Sequence, residues 1–162
     1  ARMGSETTAA ATSKEGVVRR DPMAMLPFCG YNMADYFGHW LGMEKRLAYK
    51  PRVFAVNWFR TDDKGRYLWP GFGHNVRILK WVIDRVHNRV SAEKTPIGLI
   101  PNIKDLDMTG LHIPKEDMEE LFRIDHEGWK KEAADIGEFF KKFGDRMPKE
   151  MWNELEKMKA KL

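Results

Sequence analysis

Between Trp58 and Asn75 the chain reads WFRTDDKGRYLWPGFGHN, with five aromatic rings and four glycines or prolines in one short stretch. It is too punctuated for a single helix and too polar for a single buried strand, so the backbone must reverse here and leave rings on or beside a loop. TDDKGR supplies aspartates and a glycine for the reversal, which predicts RVFAVNWF as a buried or half-buried strand and RYLW as a short returning one. Pro70, Gly71 and Gly73 then interrupt any regular element, and WPGFGHN becomes the loop that feeds a helix starting at Asn75.

Around this hairpin the periodicity is mostly helical. NMADYFGHWLGM spaces Met33, Tyr36, Phe37, Trp40 and Leu41 along one face, with His39 beside the stripe as a hydrogen-bonded helix residue. After Asn75 the stripe is Ile78, Leu79, Val82, Ile83 and Val86, running out near His87 and Asn88. TPIGLIP is a short apolar strand bounded by prolines. From Pro114 onward the prediction is helical throughout, with an acidic first turn at Glu116, Asp117, Glu119 and Glu120. Trp129, Ala133, Ile136, Phe140 and Phe143 form one stripe and Met151, Trp152, Leu155, Met158 and Leu162 another, divided by Gly144 and Pro148. The fold class is therefore mixed α/β: a small strand group near residues 52–69 and 95–100, with helices closing the C-terminal half. VVRRDP allows only a brief strand, and residues 1–16, ARMGSETTAAATSKEG, read either as a mobile surface loop or as a frayed terminus.

With 162 residues, 43% of them hydrophobic, one globular domain is the default. The charge is uneven: residues 1–100 carry 16 basic and 9 acidic side chains, residues 101–162 carry 12 and 15. The half with the aromatic loop is the basic one, which suits either an anionic ligand or an ordinary solvated surface. One cysteine, Cys29, excludes an internal disulfide framework and a multi-cysteine zinc site and fits an intracellular, reducing compartment. No apolar run is long enough to span a bilayer, and no signal peptide is apparent. Because the chain opens on Ala1 within a small-residue stretch, it is expected to be a piece of a longer protein.

The catalytic inventory is empty. There is no GxxxxGK[ST] loop, no HExxH and no GxGxxG after a strand; the five histidines are scattered, and Cys29 has no base near it in sequence. Such a chain is expected to hold a ligand, not to transform one. Phe59, Tyr67 and Phe72 either frame a flat ring or form the core of a twisted hairpin. Gly71 and Gly73 would let the backbone approach a ligand. Asn75 offers an amide with a donor and an acceptor, next to the free N–H groups of a helix start. A free-standing module for single-stranded nucleic acid, or a helical interaction domain on residues 114–162, is compatible with the same features.

NWFR, RYLWPGFGHN and TPIGLIP, preceded by SETTAAA and RRDPMAMLPFCGYNMADYFGHWL, closely resemble the C-terminal portion of GTP-dependent phosphoenolpyruvate carboxykinase, in order and over essentially the whole chain. The aromatic and glycine loop is specific to the GTP-using family. The resemblance implies a guanine ring held by Phe59, Tyr67 and Phe72, with Asn75 reading the base, Trp58 alongside, and Gly73 and His74 in the same loop. Tyr67 stands where phenylalanine is more familiar and adds a hydroxyl to the pocket edge; His74 replaces a different polar residue, so its side chain is not expected to be essential. Ser5, Glu6, Thr7, Thr8, Ala9, Ala10 and Ala11 resemble the lid that closes over the loaded active site. The implied domains are a lid loop over 1–16 and the C-terminal part of the nucleotide-binding domain over 17–162.

The implied activity is a cytoplasmic carboxy-lyase of gluconeogenesis, converting oxaloacetate and GTP reversibly to phosphoenolpyruvate, carbon dioxide and GDP. Manganese and magnesium ions belong to the complete enzyme, with their ligands, the phosphate loop and the oxaloacetate-binding arginines upstream of Ala1. No catalytic residue is then expected within this chain, whose partners would be a guanine nucleotide and the N-terminal remainder of the enzyme. Neither a membrane nor a nucleic acid is expected.

Overall fold

The computed structural model describes residues 2–3 and 19–162. In chain order the elements are β1 (Arg2–Met3), β2 (Arg19–Arg20), α1 (Met33–Arg46), α2 (Asn75–Val86), β3 (Glu93–Thr95), β4 (Gly98–Ile100), α3 (Lys115–Phe122), α4 (His126–Lys141) and α5 (Lys149–Lys159), joined by short 3-10 turns. β1 pairs antiparallel with β2, and β3 with β4, the latter through Glu93↔Ile100 and Thr95↔Gly98. The fold is mixed α/β, as the sequence predicts. The chain forms two compact units, one from residues 1–50 with Lys130–Leu162, the other from Pro51–Trp129.

The first unit is built from the predicted stripes. Asn32 caps α1 by accepting from the Ala34 N–H at 2.9 Å. Met33 and Phe37 of α1 are buried with Ala133 and Phe140 of α4, Met147, and Leu155 of α5. Edge-on ring pairs join Phe37 to Phe143 at 5.9 Å and Phe140 to Trp152 at 5.3 Å, the geometry aromatic quadrupoles favour. Gly144, in the left-handed region at φ +55, follows α4, and Pro148 precedes α5. Arg20 donates to Glu132 at 2.7 Å and to Asp135 at 2.9 Å, tying β2 to α4.

The second unit has a smaller core of Trp81, Leu106 and Met118, with Phe54, Ile78, Val82 and Leu121 packed against it. Here three expectations are corrected. Residues 52–57 form no strand, because no neighbouring segment among the described residues offers them a ladder; Val53 and Val56 are exposed. RYLW contributes only an isolated bridge, Thr61↔Tyr67. The C-terminal half is not helical throughout: Arg123 turns extended after α3, and the Asp125 carboxylate accepts from the Gly128 N–H at 3.0 Å at the start of α4. The α2 stripe also splits, with Trp81 buried and Ile78 and Val82 half-buried while Leu79, Ile83 and Val86 stay exposed.

Candidate functional site

The hairpin at residues 58–69 is held by side chains more than by its ladder. Asp62 Oδ1 accepts from the Lys64 and Arg66 N–H groups, both at 2.9 Å, and Gly65 supplies φ +78 to complete the turn. The Leu68 N–H donates to the Arg60 carbonyl at 3.0 Å, which with the Thr61↔Tyr67 bridge fixes the register. Strand alternation then sorts the side chains: Phe59, Thr61, Tyr67 and Trp69 fall on one face, Arg60, Asp62, Arg66 and Leu68 on the other.

The second face is clamped to α3. Arg66 makes a two-pronged contact to Asp117, at 2.8 and 2.9 Å, and donates from Nε to Asp62 at 3.0 Å. Arg60 donates to Glu120 at 2.8 Å and to the carbonyls of Leu121 and Arg123 at the C-terminal end of the same helix. These bonds hold the acids well below the usual carboxylate range. The guanidinium of Arg66 lowers Asp117, and Arg123, then Arg60, bring Glu120 to about 2. Arg66 is raised correspondingly, chiefly by its hydrogen bonds to Asp117.

The first face carries the rings. Phe59 and Tyr67, diagonal neighbours, meet edge to face with centroids 6.2 Å apart and planes at 63°. They do not form two parallel walls; a flat ligand stacked on one would meet the other at its edge. Trp69 and Leu68 are buried, whereas Phe59 and Tyr67 are mostly exposed and Phe72 is 95% exposed. Gly71 adopts φ +98, open to glycine and hardly to anything else, and aims Phe72 away from the protein.

Trp58, Phe59, Tyr67, Phe72 and Asn75 line one cavity of 580 Å³, a size typical of small-ligand sites. Gly73 and His74 do not line it. His74 instead accepts from Arg77 Nε at 3.3 Å, and Arg77 is anchored to the carbonyls of Asp107 and Thr109. Arg66, Trp69, Pro70 and Gly71 also line the cavity. Sequence reasoning missed Arg66 and Trp69 as members of the site. Alternation sets Arg66 opposite Phe59 and Tyr67, so no local pattern marks it as a cavity residue, and Trp69 reads from the sequence only as the end of the short returning strand.

Two details of the helix start differ from expectation. The N–H groups of His74 and Asn75 are already used, donating to the carbonyls of Gly71 and Phe72 in the 3-10 turn. The side-chain oxygen of Asn75, Oδ1, also has a partner, accepting from Trp69 Nε1 at 2.8 Å. Only its amide nitrogen has no partner among the described residues. Ser5, Glu6, Thr7, Thr8, Ala9, Ala10 and Ala11 lie outside the described residues. Among the described residues no three His, Cys, Asp or Glu side chains stand together as a metal site, and no helix is long and apolar enough to cross a membrane.

The model of the phosphoenolpyruvate carboxykinase C-terminal P-loop domain, GTP-dependent type, matches residues 1–161. The chain belongs to this carboxykinase family. Among its relatives named phosphoenolpyruvate carboxykinase [GTP], that of Thermoplasma volcanium is 49% identical over all of this chain and 27% of its own length. Those of Chlamydia pneumoniae and Neocallimastix frontalis are 46% and 47% identical over 99% of this chain, again 27% of their own lengths. The chain thus spans about a quarter of the carboxykinases it matches, and the stretch matched contains no GxxxxGK[ST] loop. Membership in this family leaves the readings as a nucleic-acid module or a helical interaction domain without support.

Proposed function

We propose that this chain supplies the guanine clamp, and through residues 5–11 the lid, of a GTP-dependent phosphoenolpyruvate carboxykinase. Residues 1–16 would be the lid loop and 17–162 the C-terminal part of the nucleotide-binding domain, in a cytoplasmic enzyme of gluconeogenesis. The observation that carries the proposal is one cavity bringing together Trp58, Phe59, Tyr67, Phe72 and Asn75, within a chain matched end to end by that family. An exposed ring at Phe72, left-handed backbone at Gly71 and an edge-on pair at Phe59 and Tyr67 offer apolar faces to a flat base. The hydrogen bonds of Arg60 and Arg66 to Glu120 and Asp117 of α3 hold the hairpin that carries Phe59 and Tyr67, and Arg66 also lines the cavity.

In the reaction so assigned, the carbon–carbon bond of oxaloacetate breaks to release carbon dioxide, and its electron pair remains as an enolate. The enolate oxygen attacks the γ-phosphorus, and the bond to the β-phosphate oxygen breaks to leave GDP. A divalent ion, manganese or magnesium, would neutralise the phosphate charge; the described residues offer no cluster fitted to hold one, and no step is assigned to them through it. The part of this chain is to fix the base and, through the lid, to exclude water. Oxaloacetate, phosphoenolpyruvate and the N-terminal remainder of the enzyme are its proposed partners.

Phe72→Ala in the complete enzyme tests the clamp. Lost stacking should weaken GDP and GTP binding by about 1 to 3 kcal/mol and leave the affinity for oxaloacetate in place. An unchanged nucleotide affinity would remove Phe72 from the site. For the lid, hydrogen exchange over residues 5–14 should slow when nucleotide and oxaloacetate are both bound, and unaltered exchange counts against it.

A further inference from the structure

Trp69 is the most buried ring of the cavity, 5% exposed, and its indole has one polar atom. An indole N–H only donates, so its partner must present an acceptor. That partner is the Asn75 carboxamide, whose oxygen lies 2.8 Å from Trp69 Nε1. Turning the amide over would set its NH2 against the indole N–H, donor against donor, and would strand both in a half-buried place. Trp69 therefore permits one of the two amide orientations.

The consequence appears at the cavity. Asn75 lines it, its oxygen is engaged, and its Nδ2 has no partner among the described residues. From the sequence Asn75 could present either end of its amide; in the fold its oxygen is turned to the Trp69 indole, and the group left without any partner among the described residues is the Nδ2 donor. A carbonyl on the edge of a bound base would be met by this donor, whereas an exocyclic amino group at the same position would be opposed by it.

From this geometry we infer that Trp69 is a positioning residue for base selection. By accepting the indole N–H, the Asn75 amide is held with Nδ2 toward the ligand, which favours 6-oxopurines, guanine or hypoxanthine, over the 6-aminopurine adenine. The inference rests on the guanine-clamp reading above and adds to it the residue that sets the polarity of Asn75. No other side chain among the described residues hydrogen-bonds Asn75.

The test uses the complete enzyme and measures dissociation constants for GDP, IDP and ADP. For the unaltered protein, GDP and IDP are expected to bind alike and ADP far more weakly; equal binding of ADP and IDP would overturn the inference. Trp69→Phe keeps a buried ring and removes the N–H, freeing the amide to rotate. The preference for GDP over ADP should then fall by about tenfold, the scale of one hydrogen bond at a buried polar group.

A purely packing role for Trp69 would lower affinity for all three nucleotides in parallel, and that result would also overturn the inference. A double-mutant cycle supplies the sharper readout: in an Asn75→Ala background, Trp69→Phe should leave the GDP to ADP ratio where it was. A further drop in that ratio would show that Trp69 does not act through Asn75. Independently of any variant, 6-thio-GDP, whose sulfur is a poor acceptor, should bind the unaltered enzyme more weakly than GDP; equal affinity would count against a donor there. The two levels fail separately: loss of GDP binding in Phe72→Ala with an unmoved ratio in Trp69→Phe would retain the clamp and remove only the role of Trp69.

Discussion

The two units of this chain solve the burial of apolar surface in opposite ways. Residues 1–50 with 130–162 place six buried side chains in one cluster, fed by three helices whose stripes interlock through edge-on rings. Residues 51–129 gather three, Trp81, Leu106 and Met118, in their core cluster, bury Leu68 and Trp69 apart from it, and leave Val53 and Leu99 more than half exposed on a groove of 1240 Å³. Trp81 even buries its Nε1 without an acceptor among the described residues. The candidate site sits in the second unit. Its hairpin is fastened by Arg60 and Arg66 to acids of α3 and by the buried Leu68 and Trp69, while Phe59 and Tyr67 stay outward and open. A well-filled core would have drawn Phe59, Tyr67 and Phe72 inward, where they could not receive a ligand.

The contrast can be broken by substitution. Phe140→Ala in the first unit removes a ring buried against Trp152 and should destabilise the chain by about 3 to 5 kcal/mol in urea unfolding. A loss below about 1 kcal/mol would mean that this core is no better filled than the other one.

The affinity of the 162 residues alone sharpens it further. Stacking at about 1 to 3 kcal/mol per ring falls short of the roughly 8 kcal/mol that a micromolar complex requires. Calorimetry with GDP, with and without Mn²⁺, should therefore show binding much weaker than micromolar and no phosphoenolpyruvate formation. A micromolar, metal-dependent affinity would place phosphate chemistry within this chain.

Acid should loosen the two units differently. Glu120 is held near 2 by Arg123 and Arg60, against about 4.3 when unfolded, and Asp117 is lowered by Arg66. Depressed carboxylates stabilise the folded state above their unfolded values, and that contribution is lost as pH falls from about 4.5 toward 2. The hairpin of the second unit should open over that window, read by Trp58 and Trp69 fluorescence, and Glu120→Gln should flatten the response. A Glu120→Gln variant with the same acid profile would detach the network from the stability of the hairpin.

The smallest effect is expected at the groove. Leu99 is 54% exposed, so Leu99→Ala should shift stability by no more than about 0.5 kcal/mol. A loss of several times that would show that the groove is more fully covered than the described residues make it.

Legibility in sequence followed the same division. The stripes at Met33 and Phe37, at Ala133 and Phe140, and at Leu155 were readable because a 3.6-residue period and a caps-and-breakers grammar are local. The break at residues 123–125 was missed because a run of helix formers conceals it, although Asp125 three residues before Gly128 is a start signal. The strand predicted across 52–59 failed for a different reason: alternation shows that a segment can pair, and pairing needs a neighbour. At the cavity, Phe59, Tyr67, Phe72 and Asn75 could be named from the aromatic and glycine loop and Trp58 from the family resemblance, while Arg66 and Trp69 could not.

What the sequence determined by itself is therefore what depends on near neighbours: the helices, the turn at Asp62 and Gly65, the glycine break at Gly71, and the presence of rings and an amide within one short stretch. Tertiary structure decided which way those groups act. The contact from Arg66 to Asp117 joins residues 51 positions apart, and the indole of Trp69 reaches across a loop to choose one face of the Asn75 amide. A side chain with both a donor and an acceptor has no fixed polarity until a partner engages one of them, and that partner is supplied only when the chain has folded.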